Sequence, residues 1–389
     1  MPAASCCVLS SLLVSALLAQ PPAASNEFRP GERWPDTDGV HINAHGGGFL
    51  YHNGTYYWFG EHKVEGRRGN NAWVGVRCYS SRDLYNWKNE GIALAVVPDN
   101  PAHDLAAGCI LERPKVIYNA KTGKFVMWFH LELKGQGYRA ARCGTAVSET
   151  PTGSYTYLRS FRPNAGVWPE NVPDERKKPL DGIEKIRFSG GGLPEGYTIE
   201  QLNIFARDFE GGQMSRDMTL FVDEDGRAYH IYASEENSTL HISLLTEDYL
   251  APAGRYIRVF EGRYMEAPAM FKHNGRYFLM MSGCTGWAPN AARSAVADSI
   301  WGPWKELPNP CIGENADKTF FSQSTYILPV HGKKDAFIYI GDRWNPENAI
   351  DGRYIWLPVI LRDGRFEIRW LDRWSLSWFD KDKKPSSPE

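Results

Sequence analysis

Five times along the chain an apolar stretch runs into a tight polar turn containing glycine and out again into an aromatic or β-branched stretch. The unit reads FLYHNGTYYWFG from Phe49, VIYNAKTGKFVMWFH from Val116, LFVDEDGRAYHIYA from Leu220, AMFKHNGRYFLMMSG from Ala269 and, more loosely, ILPVHGKKDAFIYIGD from Ile327. Asn-Gly and Asp-Gly between such runs are strong hairpin signals, because the turns they form need residues that tolerate positive φ. A second hairpin, turning on Ser, Asp, Thr or Pro, follows each of the first four, from Val74, Gly144, Thr239 and Ala292. Two hairpins make a four-stranded sheet, and five such sheets around an axis make a propeller that leaves few edges exposed. A β-sandwich also has regularly spaced strands, but it does not require the same paired unit four times over. The predicted fold is therefore all-β, a five-bladed β-propeller over residues 30–380.

The turn glycines Gly54, Gly123, Gly226, Gly275 and Gly332 lie 69, 103, 49 and 57 residues apart. The excess in the second interval, residues 162–213, is rich in Pro, Gly and charge and reads as an insertion between blades, with Trp168 and Tyr197 expected to shape the pocket. The run from Gly352 to Phe379 supplies the outer strands of the last blade and a closure with the N-terminal segment.

Charge and leader narrow the setting. With 44 Lys+Arg against 46 Asp+Glu there is no positive field for nucleic acid or an anionic membrane surface. Residues 1–24 read as a signal peptide: Cys6 to Ala19 is an apolar run of signal-core length that ends in small residues and Pro21-Pro22, although no Lys or Arg precedes it. The chain is thus expected to be secreted or periplasmic, monomeric, and without a membrane span, since no later segment is long and apolar enough. The cysteines outside the leader (Cys78, Cys109, Cys143, Cys284, Cys311) are odd in number and lack metal-binding spacing, so no pairing is assigned. Fourteen Trp, 19 Tyr and 18 Phe suit the apolar faces of pyranoses, and equally a large aromatic core.

In a propeller the innermost strand of each blade carries residues toward the central channel, so the polar residues just before each hairpin form one set. They are His41, Asn43 and His45; Glu112 and Arg113; Arg216 and Asp217; Glu266; and Ser322, Gln323 and Ser324. Glu112 lies 11 residues before its turn glycine, and Asp217, Glu266 and Gln323 each lie 9 before theirs, so these side chains should converge on one axial pocket. Glu112 in LERPKV and Glu266 in MEAPAM stand among apolar residues, where an acid must be paired or shift its pKa upward. A structural ion pair, such as Glu112 with an arginine, is the plain alternative. Glycoside hydrolysis needs such a set, one carboxyl protonated to serve the leaving oxygen and a partner on the water side.

Flanking residues extend the binding set. CTGWAPN from Cys284 places Trp287 against a sugar face and Thr285 or Asn290 against hydroxyls; Glu235 and Asn237 in ASEENS and Glu61 hold corresponding places, and Arg113, His45 and His130 complete the group. The histidines form no HExxH, which disfavours a zinc hydrolase. No cofactor is expected, and a structural calcium ion in the channel has no sequence support.

Together NAHGGGFLYHNGTYYWFGE, ERPKVIYN, SRDMTLFVDEDG, EAPAMF, SGCTGWAPN and FSQST resemble glycoside hydrolase family 43, in particular its exo-β-1,3-galactanase-like branch, from about Asp36 to Phe379. The resemblance implies a five-bladed propeller that hydrolyses with inversion, with Glu266 as general acid, Asp217 orienting it, Gln323 holding the water and Glu112 beside the sugar. It implies an oligosaccharide or polysaccharide partner and the release of galactose from β-1,3-galactan or arabinogalactan-type glycans. A β-D-galactofuranosidase or α-L-arabinofuranosidase of the same fold is the alternative, as is a noncatalytic carbohydrate-binding propeller. Where most members carry an aspartate at the start of the first inner strand, this chain has Ala44-His45-Gly46-Gly47, which leaves Asp36, Asp38 or Glu112 to serve as base.

Overall fold

A computed structural model describes residues 1, 24–188 and 192–380; the apolar leader run lies outside them. Five antiparallel sheets follow one another along the chain, each centred where the sequence repeats its hairpin pair. Blade one is β1 (His45–His52), β2 (Thr55–Glu61), β3 (Gly75–Ser81) and β4 (Lys88–Ala95). Blade two is β5 (Ile110–Asn119), β6 (Lys124–Glu132), β7 (Arg142–Ser148) and β8 (Thr156–Phe161). Blade three is β9 (Met218–Val222), β10 (Ala228–Ser234), β11 (Thr239–Leu245) and β12 (Pro252–Val259), and blade four is β13 (Met265–His273), β14 (Arg276–Gly283), β15 (Arg293–Ala297) and β16 (Lys305–Leu307). Blade five departs from the pattern: β18 (Gln323–Pro329), β19 (Phe337–Arg343), β20 (Arg353–Arg362) and β21 (Arg365–Arg369) are joined at the outer edge by the short β17 (Cys311–Ile312), parallel to β21. No helix among the described residues is long and apolar enough to cross a membrane.

The ring closes between blades five and one, and a dense cluster of large aromatic rings packs there. Phe28 and Trp374 exchange backbone hydrogen bonds of 2.7 and 3.1 Å, tying the N-terminal segment to the end of the propeller. Around this bridge Phe28, Trp34, Phe49, Trp58, Trp87 and Trp356 pack with ring centroids 4.8 to 6.1 Å apart in the contacts centred on Trp34 and Trp356. Offset and edge-on aromatic pairs add to the burial of their large apolar area. The aromatic-rich composition thus reflects the closure of the ring more than contact with a ligand.

The insertion between blades two and three carries its own small cores. Ile183, Ile199, Leu202 and Ile204 form one, and Val172, Phe205 and Ala206 the other. Its helix α1 (Ile199–Leu202) opens with a capping box in which Thr198 and Gln201 satisfy each other's end groups. The segment is fastened to blade three by Arg176, whose guanidinium grips Glu261 at 2.5 and 3.0 Å, and by Arg258 lying 4.1 Å from the Phe205 ring centroid. The expectation that Trp168 and Tyr197 shape the pocket is not met: Trp168 stacks on Phe209 at 4.0 Å inside the insertion, and Tyr197 is exposed away from the cavity. Phe188 of the same insertion reaches the cavity instead.

If the aromatic seam carries the closure, Trp356→Ala should destabilise the protein by about 3–5 kcal/mol, the usual cost of emptying a large core site. Trp378→Ala, at a surface position, should stay within about 0.5 kcal/mol of the parent. Thermal unfolding of the two variants side by side is the check.

Candidate active site

Three of the five innermost strands break register at the same place. On β1 the pairing skips from His45–Glu61 to Gly48–Phe59, on β5 from Glu112–His130 to Lys115–Trp128, and on β13 from Glu266–Ser282 to Ala269–Met280. In each case two residues stand unpaired, and the first of them is left-handed: Gly46 (φ 58°), Arg113 (φ 55°) and Ala267 (φ 52°). The second is Gly47, Pro114 or Pro268, and proline is tolerated there because a bulge asks for no ladder N–H. Blade five shows a related slip between Ser324 and Tyr326, just after Gln323. The bulge turns the strand, so the residue before it leaves the plane of the sheet and faces the axis. Glu112 and Glu266 stand in that place and meet Gln323, one residue further from its own blade's slip, although the three come from separate blades. Asp217 joins them from the residue before β9, held by the bond from Ala233 N–H to its carbonyl at 2.9 Å.

These four line a cavity of about 660 Å³ whose walls come from all five blades and from Phe188 of the insertion. That volume is in the range for a small-molecule site. Arg113 organises its floor. The guanidinium grips Asp217 with two bonds of 3.0 and 2.8 Å, and the same arm donates to Gln323 Oε1 at 2.6 Å. Trp344 Nε1 donates to that same oxygen at 3.0 Å, and Gln323 Nε2 donates to Ser282 Oγ at 2.9 Å. Two donors on Oε1 settle which end of the amide is oxygen.

The glutamates are held in opposite states. Burial raises the Glu266 carboxyl to about 7, and the neighbouring Asp217 charge adds to the rise, so near neutral pH it is substantially protonated. Burial acts the same way on Glu112, but there the hydrogen bond and charge of His130, the charge of Lys63 and the hydrogen bond from Tyr138 more than offset it and hold the carboxylate well below its usual range. Glu112 accepts from Asn70 at 3.1 Å, Tyr138 at 2.8 Å and His130 at 3.1 Å. His130 is itself caught between Glu112 and Glu132; although desolvation lowers its pKa, the two carboxylates raise it to about 10.

Several residues expected to touch a ligand lie elsewhere. His45 is fully buried beneath the cavity, stacked on Tyr354 at 5.1 Å and 3.6 Å from Asp342. His130 stands behind Glu112 and does not line the cavity. Glu235 is sealed in blade three by Arg258 at 2.6 and 2.8 Å and His241 at 2.7 Å. Asn290 folds back on its own loop, accepting from Gly283 N–H at 2.7 Å and donating to Gly283 O and Thr285 Oγ1 at 3.0 and 2.7 Å. His45 and Glu235 are engaged by groups far along the chain, whereas Asn290 is held by its own loop and His130 between two glutamates of its own blade.

Glu61, Arg113, Asn237, Thr285 and Trp287 do line the cavity, and Trp287 meets Trp344 edge-on at 5.8 Å. Asp36 borders a separate cavity with Trp34 and Tyr85, and Asp38 is exposed; neither lines this one. Tyr138, Glu236, Cys284, Trp344 and Asn70 were not singled out by the repeat, because each sits on a loop or strand end whose place is fixed only when the blades assemble.

Glu112, His130 and Asp217 each offer a ligand atom within 4.8 Å of the others. All three donors already have protein partners, in His130 for Glu112, the two glutamates for His130, and Arg113 for Asp217.

A sequence profile described as glycosyl hydrolases family 43 matches residues 194–341. The chain is 54% identical to a solved family 43 β-1,3-galactosidase with galactodeoxynojirimycin, over 90% of this chain and 100% of that one, with a TM-score of 0.82. It is 32% identical to an exo-β-1,3-galactanase from Phanerochaete chrysosporium solved with β-1,3-galactotriose, over 90% of this chain and 68% of that one, TM-score 0.72. An exo-β-1,3-galactanase from Clostridium thermocellum is 37% identical over 89% and 66% of the two chains, TM-score 0.71. Among curated proteins a β-D-galactofuranosidase of Aspergillus niger is 28% identical over 145 residues, 36% of this chain and 41% of that protein, so the match spans about two fifths of that relative.

The electrostatic arrangement makes a direct prediction. Carboxyl resonances followed by NMR with pH should include one glutamate titrating near 7, absent from Glu266→Gln. Asp217→Asn removes the neighbouring negative charge and should bring that midpoint down by about one unit.

Proposed function

The chain belongs to glycoside hydrolase family 43, and from that premise we propose that it is an exo-acting, inverting hydrolase releasing galactose from the ends of β-1,3-galactan or arabinogalactan-type glycans. The observation that carries the reading is the division of labour among the pocket carboxyls. Glu266 keeps a transferable proton near neutral pH, while Asp217 is clamped by a guanidinium and Glu112 is held ionised by three donors.

Glu266 protonates the leaving glycosidic oxygen as the C–O bond breaks and becomes a carboxylate. Asp217 helps to keep that proton in place before the step, by the cost of a second negative charge beside Glu266. A double displacement would need a carboxylate at liberty to attack the anomeric carbon. The bidentate grip of Arg113 on Asp217 and the three donors that hold Glu112 in place argue against either one in that role, and so favour attack by water and inversion. Gln323 suits the water. Its oxygen already accepts from Arg113 and Trp344, so what it can offer is an amide N–H to the water oxygen, which orients the nucleophile; the proton that this water sheds as it bonds the anomeric carbon passes to solvent water in the cavity.

A pocket ringed by all five blades and roofed on one side by Phe188 suits a chain end rather than the middle of a polymer, and Trp287 offers an exposed ring at its mouth. Galactose in the β-1,3 series is supported by the relatives with high identity over nearly the whole chain; the galactofuranosidase match is lower and covers a smaller part.

Glu266→Gln should lower kcat/KM on β-1,3-galactobiose by at least about 10³-fold and less on an aryl galactoside, whose leaving group needs little protonation. Proton NMR of the first sugar released by the parent enzyme should show α-galactose. Release of β-galactose, or full turnover by the variant, would overturn the reading. A parallel screen on β-galactofuranosides and α-L-arabinofuranosides checks the sugar.

A further inference from the structure

The two oxygens of Glu266 are not equivalent. Oε1 accepts from Asn237 Nδ2 at 3.0 Å and from the Cys284 thiol at 3.0 Å. Asn237 Nδ2 also approaches Cys284 Sγ at 3.6 Å, so the amide, the thiol and the carboxyl form a closed triangle. A carboxyl oxygen has two lone-pair directions, and two donors fill them. Oε2 accepts no hydrogen bond among the described residues, and Glu266 borders the cavity.

We infer that Asn237 and Cys284 act as positioning residues that fix the acid proton of Glu266 on Oε2, the oxygen turned to the leaving group, by occupying Oε1 with an amide and a thiol donor from blades three and four. The inference rests on the reading of Glu266 as the general acid. It accounts for residues that the sequence placed against the sugar. Asn237 is the last of three successive left-handed residues, Glu235 (φ 52°), Glu236 (φ 58°) and Asn237 (φ 66°), a conformation held because Glu235 is locked to Arg258 and His241. Such backbone is costly for residues other than glycine and persists where the surroundings enforce it. Asn290 does the matching work on the other side: it pins Gly283 and Thr285, the neighbours of Cys284, and is held through its carbonyl by Thr319 Oγ1 at 2.7 Å. Glu235 and Asn290 thus act through the two donors rather than on a ligand.

The thiol is suited to the task because it stays a thiol. Burial, reinforced by the charge of Glu266, pushes Cys284 up to about 12, so its S–H remains available to donate at any working pH. Its four counterparts Cys78, Cys109, Cys143 and Cys311 are buried away from the pocket. When Glu266 gives up its proton to the glycosidic oxygen, both donors remain on Oε1 and stabilise the new carboxylate. They therefore ease the proton's departure, opposing the rise caused by burial and Asp217, alongside Arg113 and Arg216; Glu236 and Arg139 also border the cavity, and the charge of Arg293 acts on Cys284 from β15.

The sign follows. Removing the thiol takes a donor from the anion, so the Glu266 midpoint, and with it the alkaline limb of the kcat/KM profile, moves to higher pH. Cys284→Ala should shift that limb up by about half a unit or more, given the ordinary worth of one neutral donor to a charged acceptor. Cys284→Ser, which keeps a donor, should return it to within a few tenths of the parent. Asn237→Ala should shift it in the same direction as Cys284→Ala, which keeps the test open if one variant folds poorly. The profiles are measured on β-1,3-galactobiose, with thermal melting as the check on fold and carboxyl NMR as the second readout of the Glu266 midpoint. A limb unmoved or lowered in folded Cys284→Ala and Asn237→Ala, or a serine variant that shifts as far as the alanine, overturns the inference. If Glu266→Gln keeps full turnover, the acid assignment falls first. If Glu266→Gln is inactive and the limb does not move, only the role of the two donors falls.

Discussion

The guanidinium of Arg113 reaches from blade two to Asp217 of blade three and Gln323 of blade five, while its backbone N–H binds Glu61 of blade one at 2.9 Å. A fourth contact, from Nη1 to the carbonyl of Ser324 at 3.3 Å, closes the link to blade five. The planar fork of arginine is what makes this possible, since it can grip a carboxylate with two bonds and still donate elsewhere. An ammonium in its place would keep the charge and lose the geometry. The ring above it is stacked rather than bonded, with Trp344 5.5 Å from the guanidinium carbon. Through this one side chain the water-holding amide and the partner of the acid are set relative to each other.

Arg113 can do this only because of the bulge it stands in. Its left-handed backbone aims the side chain along the axis, and the same irregularity recurs on β1 and β13. On β1 the equivalent residue is Gly46, and a Cβ there would lie 2.0 Å from Glu61 Oε1. The space that a side chain of blade one would fill is occupied by a carboxylate arriving from the next strand. At Gly48 a Cβ would lie 2.3 Å from Lys115 Cδ, so the glycine run also lets a buried lysine of blade two pass beneath the pocket. The departure at Ala44 to Gly47 is therefore a rearrangement of the floor, in which the glycines make room for charged groups supplied by β2 and β5.

Much of this was legible in the sequence because the hairpin repeat is local. Turn glycines and alternating strands identify blades one by one, and similar offsets from those turns placed Glu112, Asp217, Glu266 and Gln323 together before any contact was known. The unequal offset of Glu112 is explained by the longer turn at Asn119 to Lys124, where Gly123 N–H bonds back to Asn119 O at 2.9 Å. The roles of individual polar side chains were less legible. His45 holds the register position of Glu112 and Glu266 yet is buried against Tyr354 and Asp342, because its depth is set by the blade-five strand beside it. Glu235 looks like a loop acid until Arg258, 23 residues away on β12, reaches it. Partners of that kind follow from tertiary assembly and leave no mark at fixed spacing.

The aromatic residues show how the two halves of the structure depend on each other. Left-handed non-glycine residues gather around the pocket at Arg113, Glu235 to Asn237, Ala267 and Thr319 to Phe321, and each costs free energy that an ideal strand would not. Buried charges there add a desolvation cost that only their pairing offsets. Such a centre cannot hold the ring together by itself. The stabilising counterpart lies at the closure, where Phe28, Trp58, Trp87, Trp356 and Trp374 are nearly or fully buried and contribute apolar area with little polar cost. A composition rich in tryptophan is thus connected to carbohydrate chemistry in two ways: through the exposed edge of Trp287, and more broadly by making the ring rigid enough to keep a strained, charged pocket in one geometry.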